Sequence, residues 1–314
     1  MNEIMSKVQE NVKKELLKAF SEKGFTPYSK RYKYYVKSLD ENIIGGSMST
    51  DQWNMFDDGS GGELVDVVTP AKAKAIYSSS MLSYNFFRNI NEDCTLKIDH
   101  IEYDKVFFEV KLPTLRSSNA PANMDVVLVS KDGKDALFIE SKFLEYLEYD
   151  SVDLAKSYSK DASSYFIDNK ETEALLEMSK KYENKKGLRY NYGIKQNICH
   201  LIGISNLKQS QNAKEKFTKT YEKKWDNYSA ILDAENYQFM NMIFISNLPE
   251  ASKEAENYIK ELNDFQKEFL TSNIKRYTRT PFVMTYRELF DKLSDKLQGK
   301  IRDALQRRYI DCHS

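Results

Sequence analysis

The chain has 314 residues, 41% hydrophobic and 30% charged, with 47 basic and 47 acidic side chains and no net charge. That length allows a substantial core in one large domain or two smaller ones, and the charge balance confines any basic surface to a local patch offset by acid elsewhere. No run has the length of a transmembrane helix, residues 1–10 lack the apolar stretch of a secretory leader, and Cys94, Cys199 and Cys312 are too scattered for a disulfide framework or a zinc site. His100, His200 and His313 are equally dispersed, so a reducing, cytoplasmic setting with no membrane partner is expected.

Ile4, Val8, Val12, Leu16, Leu17 and Phe20 recur at helical spacing over residues 3–20, and Gly24 and Pro27 end that helix. Residues 26–62 read as irregular, with a loop at Asp57–Gly62. Serines at 78–80 cap a helix that continues through Met81, Leu82, Phe86 and Phe87. A strand is predicted at Val106–Lys111, a loop at Pro113–Pro121 and a hairpin over residues 124–143. Residues 150–187 read as helical, and Ile194–Ile204 as a buried helix. Residues 207–229 form a basic, aromatic excursion, and Phe239–Ile245 a buried strand. Amphipathic helices at roughly 250–270 and 286–305 close the chain. The order predicts an α/β fold, a central mixed sheet flanked by helices with insertions. Residues 1–50 are expected as a helical N-terminal extension and residues 51–314 as one domain.

The hairpin carries the sharpest chemical signal. Asp132-Gly133 is a strongly favoured turn dipeptide, and counting outward from it sets Asp125 opposite Glu140. Their Cβ atoms would then lie roughly 5 Å apart, where like charges weaken a sheet. Lys142, two residues beyond Glu140, leaves the same face. A divalent cation would remove the repulsion, so the arrangement points to chemistry.

Asp125 followed by Glu140-Ser141-Lys142, on a strand–turn–strand inside a helix–strand–strand–strand–helix–strand order, resembles the PD-(D/E)xK nuclease superfamily, the restriction-endonuclease-like fold. Gly59–Leu64, Ser78–Phe87, Pro121–Asp125 and Glu140–Glu145 are similar to successive motifs of a bacterial restriction-endonuclease-like branch, and Gln196 with His200 to its glutamine–histidine helix. The likeness runs from about residue 55 to 290; it departs from the pattern at Met124, where a proline usually precedes the aspartate. The resemblance implies a restriction-endonuclease-like core and Mg²⁺, with Mn²⁺ as an alternative, held by Asp125, Glu140 and the Ser141 carbonyl. It implies a water nucleophile, with Lys142 orienting or deprotonating it or stabilising the phosphorane. Glu63 is the expected extra acid, with Glu109 as rival, and Gln196 and His200 share one helix face beside the site. The implied function is a Mg²⁺-dependent endonuclease hydrolysing DNA, of restriction or defence type, with RNA open as a substrate and a homodimer as the arrangement that cuts both strands. The alternative is a nuclease-fold protein that binds nucleic acid or a protein partner without cleaving.

Other features read as structural. Ser78–Ser80 form a cap, Glu145 is expected at the surface, and Gly59–Gly62 lacks the Gly-Lys-Ser/Thr of a phosphate loop. Candidate nucleic-acid surfaces are Lys185, Lys186 and Arg189, and Lys275 and Arg276 with Arg279. Lys30-Arg31 with Lys33, and Lys214–Lys224 with Tyr221 and Trp225, are further basic, aromatic runs.

Overall fold

In the computed structural model, residues 3–21, 25–58, 62–114, 122–147, 170–183, 193–208, 228–272, 282–293 and 295–311 are described. Six strands form one sheet in chain order: β1 (Leu96–Ile98), β2 (Ile101–Leu112), β3 (Ala122–Ser130), β4 (Asp135–Lys142), β5 (Asn236–Ile243) and β6 (Phe282–Thr285). β1 to β4 are antiparallel neighbours, as short connections allow. β4–β5 and β5–β6 are parallel, and long crossovers containing helices join them. The protein is therefore α/β, with a mixed sheet flanked by helices. No helix among the described residues is long and apolar enough to cross a membrane.

The central strands are buried on both faces, which explains their near-continuous apolar runs. On one face, Val126, Leu128, Leu137, Ile139, Met240 and Met242 pack under α1 (Glu3–Ser21) and α3 (Ser79–Phe87). Val8, Val12, Leu16 and Phe20 of α1, spaced by four, belong to this same core. On the other face, Val127, Val129, Ala136, Phe138 and Phe239 pack against α4 (Lys170–Glu183), α5 (Gly193–Lys208) and α6 (Ser229–Asp233). The long α7 (Pro249–Thr271) serves both cores: Ala251, Ala255, Tyr258 and Leu262 join the first, Phe265 and Phe269 the second.

Several expectations need correction. Residues 26–62 are not all irregular, since α2 (Thr50–Asp58) lies there and places Phe56 against Tyr84 and Phe108. β1 and β6, of three and four residues, are too short for a periodic signal and were not anticipated. The last amphipathic stretch is two helices, α8 (Tyr286–Leu293) and α9 (Gly299–Leu305). Residues 150–169, much of the excursion at 207–229 and Gly59–Gly61 lie outside the described residues.

The hairpin has the expected register, with Val126 opposite Ile139, Val127 opposite Phe138 and Leu128 opposite Leu137. Its loop spans residues 131–134 rather than two residues. Gly133, at φ +74°, donates to the Ser130 carbonyl at 2.8 Å, and the Ser130 hydroxyl accepts from the Asp135 N–H. The additional residues flank Asp132-Gly133 evenly, so the pairing is unchanged.

Candidate active site

Two neighbouring strands break their alternation at one point. Phe108 and Val126 face each other in the first core, and Val110 and Met124 face each other in the second. Residues two apart on a strand normally share a face. The cause is Glu109, a non-glycine residue at φ +51°, where side chain and backbone crowd. Glu109 and Asp125 lie at this kink, and Glu109 is buried. Backbone strain of this kind persists only where the surrounding structure enforces it, and it clusters at functional sites.

Glu140 and Lys142 leave β4 on the face covered by α5, and both are almost fully buried. Lys142 Nζ lies 2.5 Å from Glu140 Oε1 and donates to Gln196 Oε1 at 2.6 Å. Asp125 Oδ2 accepts from the Ser141 N–H at 2.6 Å, which ties the two strands just beyond the Val126–Ile139 pair, where their ladder ends. Burial and repulsion from Glu140 and Glu109 push the Asp125 carboxyl well above its ordinary range, against a smaller downward pull from Lys142 and the Ser141 N–H. Burial, with Glu63 and Glu140 nearby, pushes Glu109 up to about 8. Burial alone would lower Lys142, but Glu140, Tyr258, Glu145 and Asp125 hold it above its ordinary value, so it is cationic.

His200 stands one helical turn after Gln196 on α5, with Nδ1 3.4 Å from Glu140 Oε2. Burial lowers its pKa, so the ring is neutral near pH 7. Its hydrogen bond goes to the Asn123 backbone, and Nδ1 has no hydrogen-bond partner among the described residues. The bond therefore falls to Nε2, and Nδ1 turns a lone pair toward a carboxylate oxygen that is also unpartnered. Asn241 Oδ1 and Tyr258 Oη are buried and unpartnered in the same sense. Asn241 is the β5 neighbour of Glu140, and Tyr258 is an electrostatic neighbour of Lys142. Unpartnered buried atoms occur elsewhere among the described residues, as at Asn42 Oδ1, Asp104 Oδ1 and Asn206 Oδ1; Glu140 Oε2, His200 Nδ1, Asn241 Oδ1 and Tyr258 Oη differ in surrounding one charged cluster, a setting that suits a ligand, ion or water.

Among the described residues, no three His, Cys, Asp or Glu side chains converge at the spacing of a metal site. The donor chemistry does fit: the atoms that repel or lack partners are chiefly carboxylate and amide oxygens, the hard donors that Mg²⁺ and Mn²⁺ prefer.

The chain matches no protein-family model, no curated protein and no solved structure.

The structure brings together Asp125, Glu140, Ser141, Lys142 and Gln196, with His200 and Glu109. Glu63 lies at the margin: its Oε2 accepts from Ser80 Oγ at 3.1 Å, its Oε1 lies 3.4 Å from Lys72 Nζ, and it repels Glu109. Ser78 caps α3 as expected, accepting from the Met81 N–H at 3.3 Å. Glu145 is not simply exposed, because its half-buried carboxylate accepts from the Phe143 and Leu144 N–H groups at 2.6 and 3.0 Å. Lys185, Lys186, Arg189, Lys275, Arg276 and Arg279, and the run Lys214–Trp225, lie outside the described residues.

Sequence reasoning missed Tyr258 and Asn241. Asn241 was legible as a lone amide inside the apolar run of β5. Tyr258 had no local signal, since it reads as one more core position of α7. Its role shows only against α5, where a Cβ on Gly193 would lie 2.4 Å from the Tyr258 oxygen.

Proposed function

We propose that this protein is a Mg²⁺-dependent endonuclease with a restriction-endonuclease-like core, hydrolysing phosphodiester bonds in DNA. One observation carries the reading: Asp125 and Glu140 lie beside a buried cationic Lys142, Glu109 repels both acids, and neighbouring polar atoms are unpartnered. A fold gains nothing structural from that arrangement, because buried like charges cost free energy unless something neutralises them.

Asp125 and Glu140 would hold the cation, with the Ser141 carbonyl as a further oxygen and Glu109 as the nearest additional acid. When bound, the ion neutralises charge on the scissile phosphate and makes water more acidic. The protein's own groups do the rest. Lys142 presents a fixed positive charge where phosphate charge develops, and preorganised charge in a dry site is worth more than in water. Gln196 Oε1 and Glu140 Oε1 hold the ammonium in place. His200, anchored through the Asn123 backbone, sets its Nδ1 lone pair 3.4 Å from the unpartnered Glu140 oxygen, where both would face a bound cation. The Ser141 N–H fixes one Asp125 oxygen and leaves the other for the site.

The test is incubation of the pure protein with plasmid and genomic DNA, methylated and unmethylated, in Mg²⁺. Wild type should cut and Asp125→Ala and Glu140→Ala should not; equal cutting by the variants overturns the site. The Lys142–Glu140 ion pair, which occupies one carboxylate oxygen, favours a second reading: a nuclease-fold protein that binds nucleic acid or a partner without cleaving. Calorimetric titration with Mg²⁺ and Mn²⁺ separates the two, since absence of metal binding selects the second.

A further inference from the structure

The sequence offered four basic, aromatic runs, and the one at residues 28–37 is organised into a platform. Tyr28, Tyr32, Tyr35 and Tyr77 form a ladder with ring centroids 6.1, 5.6 and 6.0 Å apart, each pair edge to face. The backbone beneath is fixed. Tyr28 donates to the Tyr35 carbonyl at 2.7 Å, Val36 to the Lys74 carbonyl at 2.9 Å, and Ile76 to the Tyr34 carbonyl at 3.0 Å. Val36 and Tyr34 are buried, which anchors the segment to the core.

Charge on this strip is predominantly basic. Lys30, Arg31 and Lys37 are exposed, and no carboxylate pairs with them among the described residues. Two nearby acids are engaged, Glu10 with Lys33 at 2.8 Å and Asp66 with Lys74 at 2.6 Å, and Asp40 is an exposed acid three residues after Lys37. In a chain with no net charge, such a local surplus is the form a nucleic-acid surface must take. Beside the ladder, Val67 and Val68 are 84% and 92% exposed. Their loop is held by Asp66, which accepts from the Ala71 N–H at 2.7 Å and from Tyr28 Oη at 3.4 Å. The strip also runs into the acid cluster. Tyr77 directly precedes the Ser78 cap, Ser80 bonds Glu63, and Glu63 adjoins Glu109.

We propose that the Tyr28–Tyr32 end of this ladder, with Lys30, Arg31 and Lys37 and the Val67–Val68 tip, binds an unpaired stretch of nucleic acid and leads it to the acid cluster. The inference rests on the nuclease reading and adds where the substrate lies and in what form. Rings receive bases without regard to sequence, while the cations follow the phosphates, which is how single strands are held. The exposed valines supply an apolar surface against which a base step can open.

The test uses the full chain and a short labelled oligodeoxynucleotide of mixed sequence, single-stranded and as duplex, read by fluorescence anisotropy in EDTA. Wild type should bind the single strand more tightly than the duplex. Lys30→Ala/Arg31→Ala/Lys37→Ala should weaken binding by roughly tenfold or more and flatten the dependence of log K on log salt by about 2. Tyr28→Ala/Tyr32→Ala should weaken single-strand binding by roughly tenfold with the salt slope unchanged. Because the three cations are exposed, their removal leaves folding intact, and a circular-dichroism melt checks both variants. Wild-type binding and cleavage that neither variant alters would overturn the strip and leave the nuclease reading standing. Tighter duplex binding would overturn the single-strand assignment. A wild type that neither binds nor cuts nucleic acid would overturn both.

Discussion

Two of the buried polar clusters among the described residues are built to different rules. Around α3, Asn85 donates to the Asn42 carbonyl and to Tyr309 Oη at 2.9 Å each and accepts from the Ile44 N–H at 2.8 Å. Asn42 donates to the carbonyls of Ala73 and Ala75. Arg308 lies over the Phe20 ring and donates to the Asn42 and Glu41 carbonyls. This cluster uses neutral amides and a single cation to satisfy irregular backbone that no strand or helix pairs. Asn42 Oδ1 and Glu41 Oε2 lack partners there, as Glu140 Oε2, His200 Nδ1 and Asn241 Oδ1 do in the cluster on β2, β3 and β4; what sets the second cluster apart is that its carboxylates repel one another. The first arrangement stabilises the fold; the second costs stability and is explicable only by a task.

That contrast can be broken by substitution. The largest effect is expected at the hairpin acids: Asp125→Ala should lower cleavage by about 10³-fold or more. Asp125→Asn, which removes one repelling charge, should leave the melting temperature in EDTA unchanged or raised. Loss of stability in Asp125→Asn would place the acids among the structural groups and dissolve the distinction.

Lys142→Met should lower cleavage by about 10²-fold or more and destabilise the metal-free protein by about 3 kcal/mol, because Glu140 is left buried and unpaired. Added Mg²⁺ should recover part of that stability, as a thermal shift would report. Asn85→Ala should behave in the reverse sense: about 2 kcal/mol lost in a denaturant titration, from stranded buried partners, with cleavage per folded molecule unchanged.

Smaller effects test how finely the site is held. His200→Ala should weaken metal binding by about 10–100-fold in calorimetry, with cleavage recovered at high Mg²⁺. The last prediction concerns pH. Glu109 binds its proton more tightly in the folded protein, with its carboxyl moved from 4.5 to about 8. Its contribution is therefore fully present below pH 4.5 and is lost as pH rises through about 8. The melting temperature in EDTA should fall across that window, and Glu109→Gln should flatten the decline. A flat wild-type profile would show that the acids are not in contention.

What could be read along the chain was local and periodic. The register of β3 on β4 followed from Asp132-Gly133 and from the two-residue alternation of a strand, both properties of adjacent residues. The amphipathic spacing of α1 and α7 and the unbroken apolar runs of the central strands likewise identified themselves. Gln196 and His200 could be placed on one helix face because four residues make about one turn.

Tertiary structure decided which charges meet. Glu109 sits in an ordinary strand sequence, and only its left-handed backbone, held by the packing of Phe108 and Val110 into different cores, brings it to Asp125. Tyr258 reaches Lys142 because α7 crosses the start of α5 at Gly193. The tyrosine ladder depends on the pairing of residues 28–36 with residues 74–76. The register from Val126–Ile139 to Val129–Ala136, beside which Asp125 and Glu140 stand, was legible because a hairpin is closed by its own short loop. The acids, rings and cations around it are gathered by packing between distant segments, and local periodicity carries no information about such contacts.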